Sequence, residues 1–241
     1  MPTIDRHALL RTTLLLSVVL GLGSIQPRHV EAQRIVPVHQ EPRHRLLFES
    51  DAMRVLDVQI LPGDTTLLHL HDTPITYVTI STSSTDQRRI DGEWRNAVAR
   101  TPPPGRIGTV RPVLSYAERP LTHQVTNIGS TLFRLIAIPN RGSGSDAAPV
   151  GQLPGDSAGD SRWFRYAVVT LEAGEATSTY TTTTPTAIVL VAEARILLER
   201  GDGWITSLEP AGDVGVLERG VEYRLVNRGA GSARLVLVEV R

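Results

Sequence analysis

The chain has 241 residues, no cysteine, and 25 basic residues against 25 acidic ones. The absence of cysteine excludes disulfides and a lipid-attachment cysteine, so stability has to come from burial of a core. Every basic residue is arginine, which excludes lysine Schiff-base chemistry. A near-neutral chain without a basic cluster offers no electrostatic surface for nucleic acid, so we expect no nucleic-acid partner.

Residues 1–32 have the pattern of a secretory signal peptide. Arg6 and Arg11 flank or precede an apolar run over residues 12–22, and the sequence around Ala32 offers a small-residue cleavage site. The run is shorter than the roughly 20 residues that span a bilayer. The alternative is an anchor that stays attached. We expect an exported protein, periplasmic or secreted, with no stable membrane insertion after the leader is cleaved.

Beyond the leader, short runs rich in Val, Ile, Leu and Thr alternate with turns rich in Gly, Pro and Asp. This spacing is typical of an all-β sandwich or barrel, and no window shows a convincing helical period. The clearest predicted strands are residues 55–61, 77–81, 133–138, 166–171, 187–191, 195–198 and 235–240.

Three histidines in the first half have the spacing of a metal site. Gly63 is followed by His69 and His71, which lie one residue apart, and His123 and Asn127 come later in the chain. Side chains at i and i+2 of a strand point to the same face, so His69 and His71 can converge on one ion. Neutral imidazole suits a divalent transition metal such as Fe, Mn, Ni, Cu or Zn. We predict His69, His71 and His123 as the metal ligands.

These residues resemble the two motifs of the cupin superfamily. Gly63 and the first two histidines match the first motif, while His123 and Asn127 match the second. The glutamate of the first motif falls on Ile75 or Thr76, and the glycines of the second motif are missing. The resemblance therefore keeps the three-histidine part of the ligand set. It implies jelly-roll β-barrels.

The second half of the chain repeats the first half without any imidazole. The segment from Gly174 parallels the one from Gly63 at an offset of 111, and residues 218–229 parallel residues 118–129 at an offset of 100. The three histidine positions are occupied by Tyr180, Thr182 and Tyr223. We predict an all-β chain with two tandem cupin-type (jelly-roll) barrels after a signal peptide, a bicupin with one candidate metal site.

The predicted organisation has four parts. A signal peptide (1–32) precedes an N-terminal cupin barrel with the candidate metal site (33–140), a linker (141–162) and a degenerate C-terminal barrel (163–241). The linker is assigned because this stretch is poor in bulky residues. His39 and His44 precede the first predicted strand, so we expect them to be solvated.

Two functions follow from this pattern. Three-histidine sites without the glutamate resemble those of some thiol and diketone dioxygenases, which implies an exported metal-binding bicupin acting as an oxygenase on a small metal-chelating molecule. The alternative is a non-catalytic protein that binds a small ligand or forms a homodimer and carries a relic metal site. The sequence identifies no general base or nucleophile, so catalytic residues and enzymatic activity remain unassigned.

Export should remove residues 1–32, because the apolar run is too short for a stable span and the residues before Gln33 suit cleavage. N-terminal sequencing of the exported protein should therefore start at Gln33 or close to it. A mature protein that retains Arg6 and Arg11 would identify the leader as an anchor.

Overall fold

The computed structural model describes residues 34–94 and 106–241, and most of their regular structure is β-strand. The predicted leader lies outside the described residues. Each of the seven predicted strands corresponds to an observed strand whose ends differ by two residues or fewer. The helices of the described ranges are short 3-10 turns, Val38–Gln40 and Ser115–Ala117, and none is long and apolar enough to cross a membrane.

The first half forms a barrel of two facing sheets, with strand orders β1-β4-β8-β6 and β2-β3-β9-β5-β7. The strands are β1 Ile35–Pro37, β2 His44–Glu49, β3 Arg54–Ile60, β4 Leu68–His71, β5 Ile75–Ser81, β6 Thr85–Arg89, β7 Val110–Val113, β8 Leu121–Asn127 and β9 Phe133–Pro139.

The second half forms a barrel from sheets of order β12-β17-β14-β15 and β10-β11-β18-β13-β16. The strands are β10 Asp156–Asp160, β11 Phe164–Leu171, β12 Tyr180–Thr181, β13 Thr186–Leu190, β14 Ile196–Arg200, β15 Ile205–Leu208, β16 Val214–Leu217, β17 Glu222–Asn227 and β18 Ala233–Val240. Nearly every strand therefore has a counterpart in the first barrel, as the sequence repeat indicated.

Strand β10 lies inside the segment 141–162 that was predicted as a linker. It consists of small and polar residues and pairs with β11 at the edge of its sheet. An edge strand gains its backbone hydrogen bonds without burying apolar side chains, so composition alone did not reveal it.

Each barrel has its own core, and a third core joins the two. In β3, Leu56 and Val58 pack into the first barrel, whereas Val55 belongs to the joint core. In β18, Leu235 packs into the second barrel, and Val236 belongs to the joint core. Burial of each such side chain contributes about 1.5–3 kcal/mol. The five-stranded sheets are thus buried on both faces, and the two barrels share apolar packing.

An ion pair also connects the barrels. Arg134 donates from Nε and Nη2 to Asp57 at 2.8 and 3.0 Å, and its Nη1 donates to the carbonyl oxygen of Ala211 at 2.7 Å. Burial alone would raise the pKa of Asp57, but hydrogen bonds from Arg134, Gln59 and Arg45 lower it. Asp57 is therefore a buried carboxylate that depends on its guanidinium partners.

Replacing Arg134 by Met should lower the free energy of unfolding by about 3–5 kcal/mol, because Asp57 would stay buried without its main partner. The matched control is Arg224→Met, which breaks the exposed ion pair with Glu199 and should cost less than about 1 kcal/mol. Urea denaturation measures both values. Equal effects of the two substitutions would contradict a structural role for the Arg134 contact.

Candidate metal centre

The three predicted ligands meet inside the first barrel. Strand β4 pairs antiparallel with β8, and His69 lies directly opposite His123. His71 follows two residues later and shares the face of His69. The candidate ligand atoms of these three histidines all lie within 4.8 Å of one another. Pairing between two strands therefore brings together residues that are about fifty positions apart in the sequence.

The spacing of the imidazoles suits one shared ion. Nε2 of His71 lies 3.1 Å from Nε2 of His123, and the His69 ring centroid lies 4.6 Å from that of His123. Two nitrogens that each lie about 2.0–2.1 Å from an ion are roughly 3 Å apart when they occupy neighbouring coordination positions. The residues present fit a transition metal.

Hydrogen bonds to the other ring nitrogens orient two of the three imidazoles. Nδ1 of His69 lies 2.9 Å from the carbonyl oxygen of Leu67, to which it donates, so its Nε2 is free to bind. Nδ1 of His71 lies 3.4 Å from the Tyr77 hydroxyl. Nδ1 of His123 is buried and has no partner among the described residues. Such outer contacts usually fix the tautomer and orientation of a metal-binding histidine.

Two tyrosines and an arginine surround His71. The Tyr116 ring lies 4.9 Å from the His71 ring, and the phenol groups of Tyr77 and Tyr116 are within hydrogen-bonding reach. The Arg111 guanidinium lies 4.5 Å from the centre of the Tyr77 ring. Burial raises the pKa of Tyr77 well above its usual value and also raises the pKa of Tyr116. Both phenols are therefore protonated donors at neutral pH.

The position of the missing glutamate has no carboxylate. Ile75 packs into the first-barrel core, the face of β5 that also carries Tyr77. Thr76 points the other way, towards Tyr166 of the second barrel. Among the described residues, the metal-ligand group contains only the three histidines.

His44 also lies at this site, which the sequence did not predict. Its ring packs edge-on against His69 at 4.8 Å, and its Nδ1 donates to the carbonyl oxygen of Val38 at 2.7 Å. The expectation that His44 is solvated is wrong, because β1 pairs with β4 in parallel and folds the N-terminal segment against the histidine strand. His39 is only partly buried.

Burial keeps these imidazoles neutral. It lowers the pKa of His69 to about 4 and that of His123 to about 3, and it holds the pKa of His71 well below 6.5. The positive charges of Arg89 and Arg111 lower the pKa of His123 further, whereas the charge of Glu41 acts in the opposite direction on His69. The nitrogens are therefore unprotonated at neutral pH, as metal binding requires.

The metal-free protein should lose stability as the pH falls from about 6.5 to 5. In this range histidines of the unfolded chain take up protons, while His44, His69 and His123, with pKa values of about 4, 4 and 3 in the folded protein, do not. Protonation then favours unfolding, by about 1.4 kcal/mol per pH unit for each such histidine.

Urea denaturation at several pH values measures this slope, and His44→Gln should make it shallower. A free energy of unfolding that stays constant between pH 7 and 5 would contradict the burial of neutral imidazoles.

No protein-family model and no curated protein matches the sequence. Solved structures do resemble the described fold. AerE from Microcystis aeruginosa gives a TM-score of 0.53 at 11% identity over 83% of this chain and 98% of that chain. A cupin 2 conserved barrel domain protein from Leptotrichia buccalis gives 0.51 at 9% identity over 81% and 87%. Salicylate 1,2-dioxygenase from Pseudaminobacter salicylatoxidans gives 0.54 at 12% identity over 82% and 77%. These likenesses concern the fold, and the described chain has the cupin fold.

Proposed function

We propose that this protein is an exported bicupin that binds one divalent transition metal through His69, His71 and His123. We further propose that it acts as an oxygenase on a small metal-chelating molecule. The observation that carries the proposal is the convergence of three buried, neutral imidazoles within 4.8 Å. The likeness to salicylate 1,2-dioxygenase, which has also been crystallised in complex with gentisate, supports it.

The chemistry of the site favours a chelating substrate. A divalent ion held by three neutral imidazoles supplies Lewis acidity and open coordination positions. Ile75 stands where the motif has glutamate and donates neither a ligand atom nor a negative charge. Coordination positions that the protein leaves open are available to two donor atoms of one small molecule.

The charges around the site favour an anionic substrate, such as a phenolate, carboxylate, enolate or thiolate. Arg89 lies opposite His123 in the β6–β8 ladder, and Arg111 lies over the Tyr77 ring. Both positive charges act on His123. Neither arginine forms an ion pair with a carboxylate among residues 34–94 and 106–241. The protonated phenol of Tyr116, which is only partly buried, offers a hydrogen-bond donor on the same side as His71.

A non-catalytic small-ligand-binding protein is the second candidate, and a cavity in the second barrel favours it. The cavity has a volume of about 460 Å³ and lies away from the three histidines. Its lining includes Val150, Thr182, Thr183, Thr184, Arg219 and Glu239. Hydroxyl and charged groups on an apolar wall suit a small polar ligand.

Metal content and oxygen uptake separate the two candidates. The mature chain, purified without a histidine tag, is expected to contain about one transition metal per chain by mass spectrometry, as one three-histidine site requires. The metal-loaded protein should consume oxygen with a phenol, diketone or thiol substrate, including gentisate and salicylate as probes. A protein that stays well below one metal per chain after loading with Fe, Mn, Ni, Cu or Zn would rule out the oxygenase.

Metal should bind in the first barrel only, because tyrosine and threonine replace all three histidines in the second. His123→Ala should lower metal affinity roughly 100-fold or more, since a ligand is lost where outer partners alone account for 10–100-fold. The matched control is Tyr223→Phe at the equivalent position of β17, which should leave affinity unchanged. Calorimetric titration measures both. Equal losses in the two variants, or no loss in either, would contradict a single site.

A further inference from the structure

A buried carboxylate lies immediately behind the three-histidine cluster and has no role in the site described so far. Glu41 belongs to the turn between the first 3-10 helix and β2, and its side chain is fully buried. It precedes the region that resembles the cupin motifs. The parallel pairing of β1 with β4 carries this segment to the back of the histidine strand.

Glu41 contacts the strand that presents His69. Its Oε1 accepts a hydrogen bond from the backbone N–H of Leu67 at 3.1 Å. The carbonyl oxygen of the same Leu67 accepts the Nδ1–H of His69 at 2.9 Å. Leu67 is thus held on one side by Glu41 and holds His69 on the other. The second carboxylate oxygen lies 3.8 Å from Nε2 of His44, whose ring packs against His69.

The negative charge of Glu41 is only partly neutralised. Arg43 donates its backbone N–H to Oε2 of Glu41 at 2.6 Å, and its Nη1 lies 3.4 Å from Oε1. The same guanidinium lies 3.3 Å from Asp64. One arginine therefore serves two carboxylates, which leaves a net charge of about −1 in this group. A buried charge without full compensation favours a cation nearby, and the charge of Glu41 is felt at the His69 ring.

We infer that Glu41 is a positioning residue for His69 and supplies, from behind this ligand, the negative charge that Ile75 fails to supply at the glutamate position of the motif. The inference rests on the proposed metal binding. Glu41 does not touch the ion. It fixes Leu67 and thereby the direction of His69, and its field favours a bound dication.

The test measures the affinity of the full mature chain for Co²⁺, together with the visible absorption spectrum of the bound ion. Glu41→Gln keeps the shape and an acceptor for Leu67 but removes the charge, so it should weaken Co²⁺ binding about 10–100-fold. The matched control is Glu239→Gln, which neutralises an equally buried glutamate in the second barrel. This control should bind Co²⁺ as the unmodified protein does.

Arg43→Gln keeps the test decisive even where Glu41→Gln fails to fold. Removal of the guanidinium leaves Glu41 with less compensation, so this variant should bind Co²⁺ more tightly than the unmodified protein. A purely structural role for the group would weaken binding in both variants. Weaker binding by Arg43→Gln, or unchanged binding by a folded Glu41→Gln, overturns the inference. An unmodified chain that binds no Co²⁺ and no other transition metal overturns the proposed function itself.

Discussion

The register between β4 and β8 is the constraint on which the candidate site depends. His69 faces His123 only in the observed pairing, and a slip of one residue would turn His69 and His71 to the other face of the sheet. Two motif residues hold this register without being ligands. Gly63 has a φ of 81° and donates its N–H to the carbonyl oxygen of Asn127. The side-chain amide of Asn127 donates to the carbonyl oxygens of Ile60 and Thr131.

The second barrel keeps the same frame and has lost the chemistry. Tyr180 lies opposite Tyr223 as His69 lies opposite His123. Asn227 donates to the carbonyl oxygens of Leu171 and Gly231, as its counterpart does in the first barrel. The turn and ladder contacts are therefore a requirement of the fold, because they persist where no imidazole remains. The ligands are a separate layer on that frame, which can be replaced by apolar and hydroxyl groups.

An internal ion pair lies near the degenerate position of the second barrel. Arg165 donates to Glu239, and both charges act on Tyr223, whose pKa burial raises further above its usual value. In the first barrel the corresponding space near His123 is occupied by neutral imidazoles and phenols, with arginines at the side. One barrel thus contains a fixed cation with its counter-ion, whereas the other presents lone pairs to a cation from solution. This difference explains why the two halves of one repeat differ in metal binding under the proposed function.

The sequence by itself determined the all-β class, the repeat and the three histidines, because a side-chain period of two and a fixed motif spacing are local properties. It also determined that the second copy lacks imidazole. It left open whether Ile75 or Thr76 takes the glutamate position, since both faces of β5 are buried and apolar alternation is lost. It missed β10, whose hydrogen bonds need no apolar residue. Only the tertiary structure placed Glu41 and His44 behind His69, because the parallel pairing of β1 with β4 is a long-range contact without a local signal in the sequence.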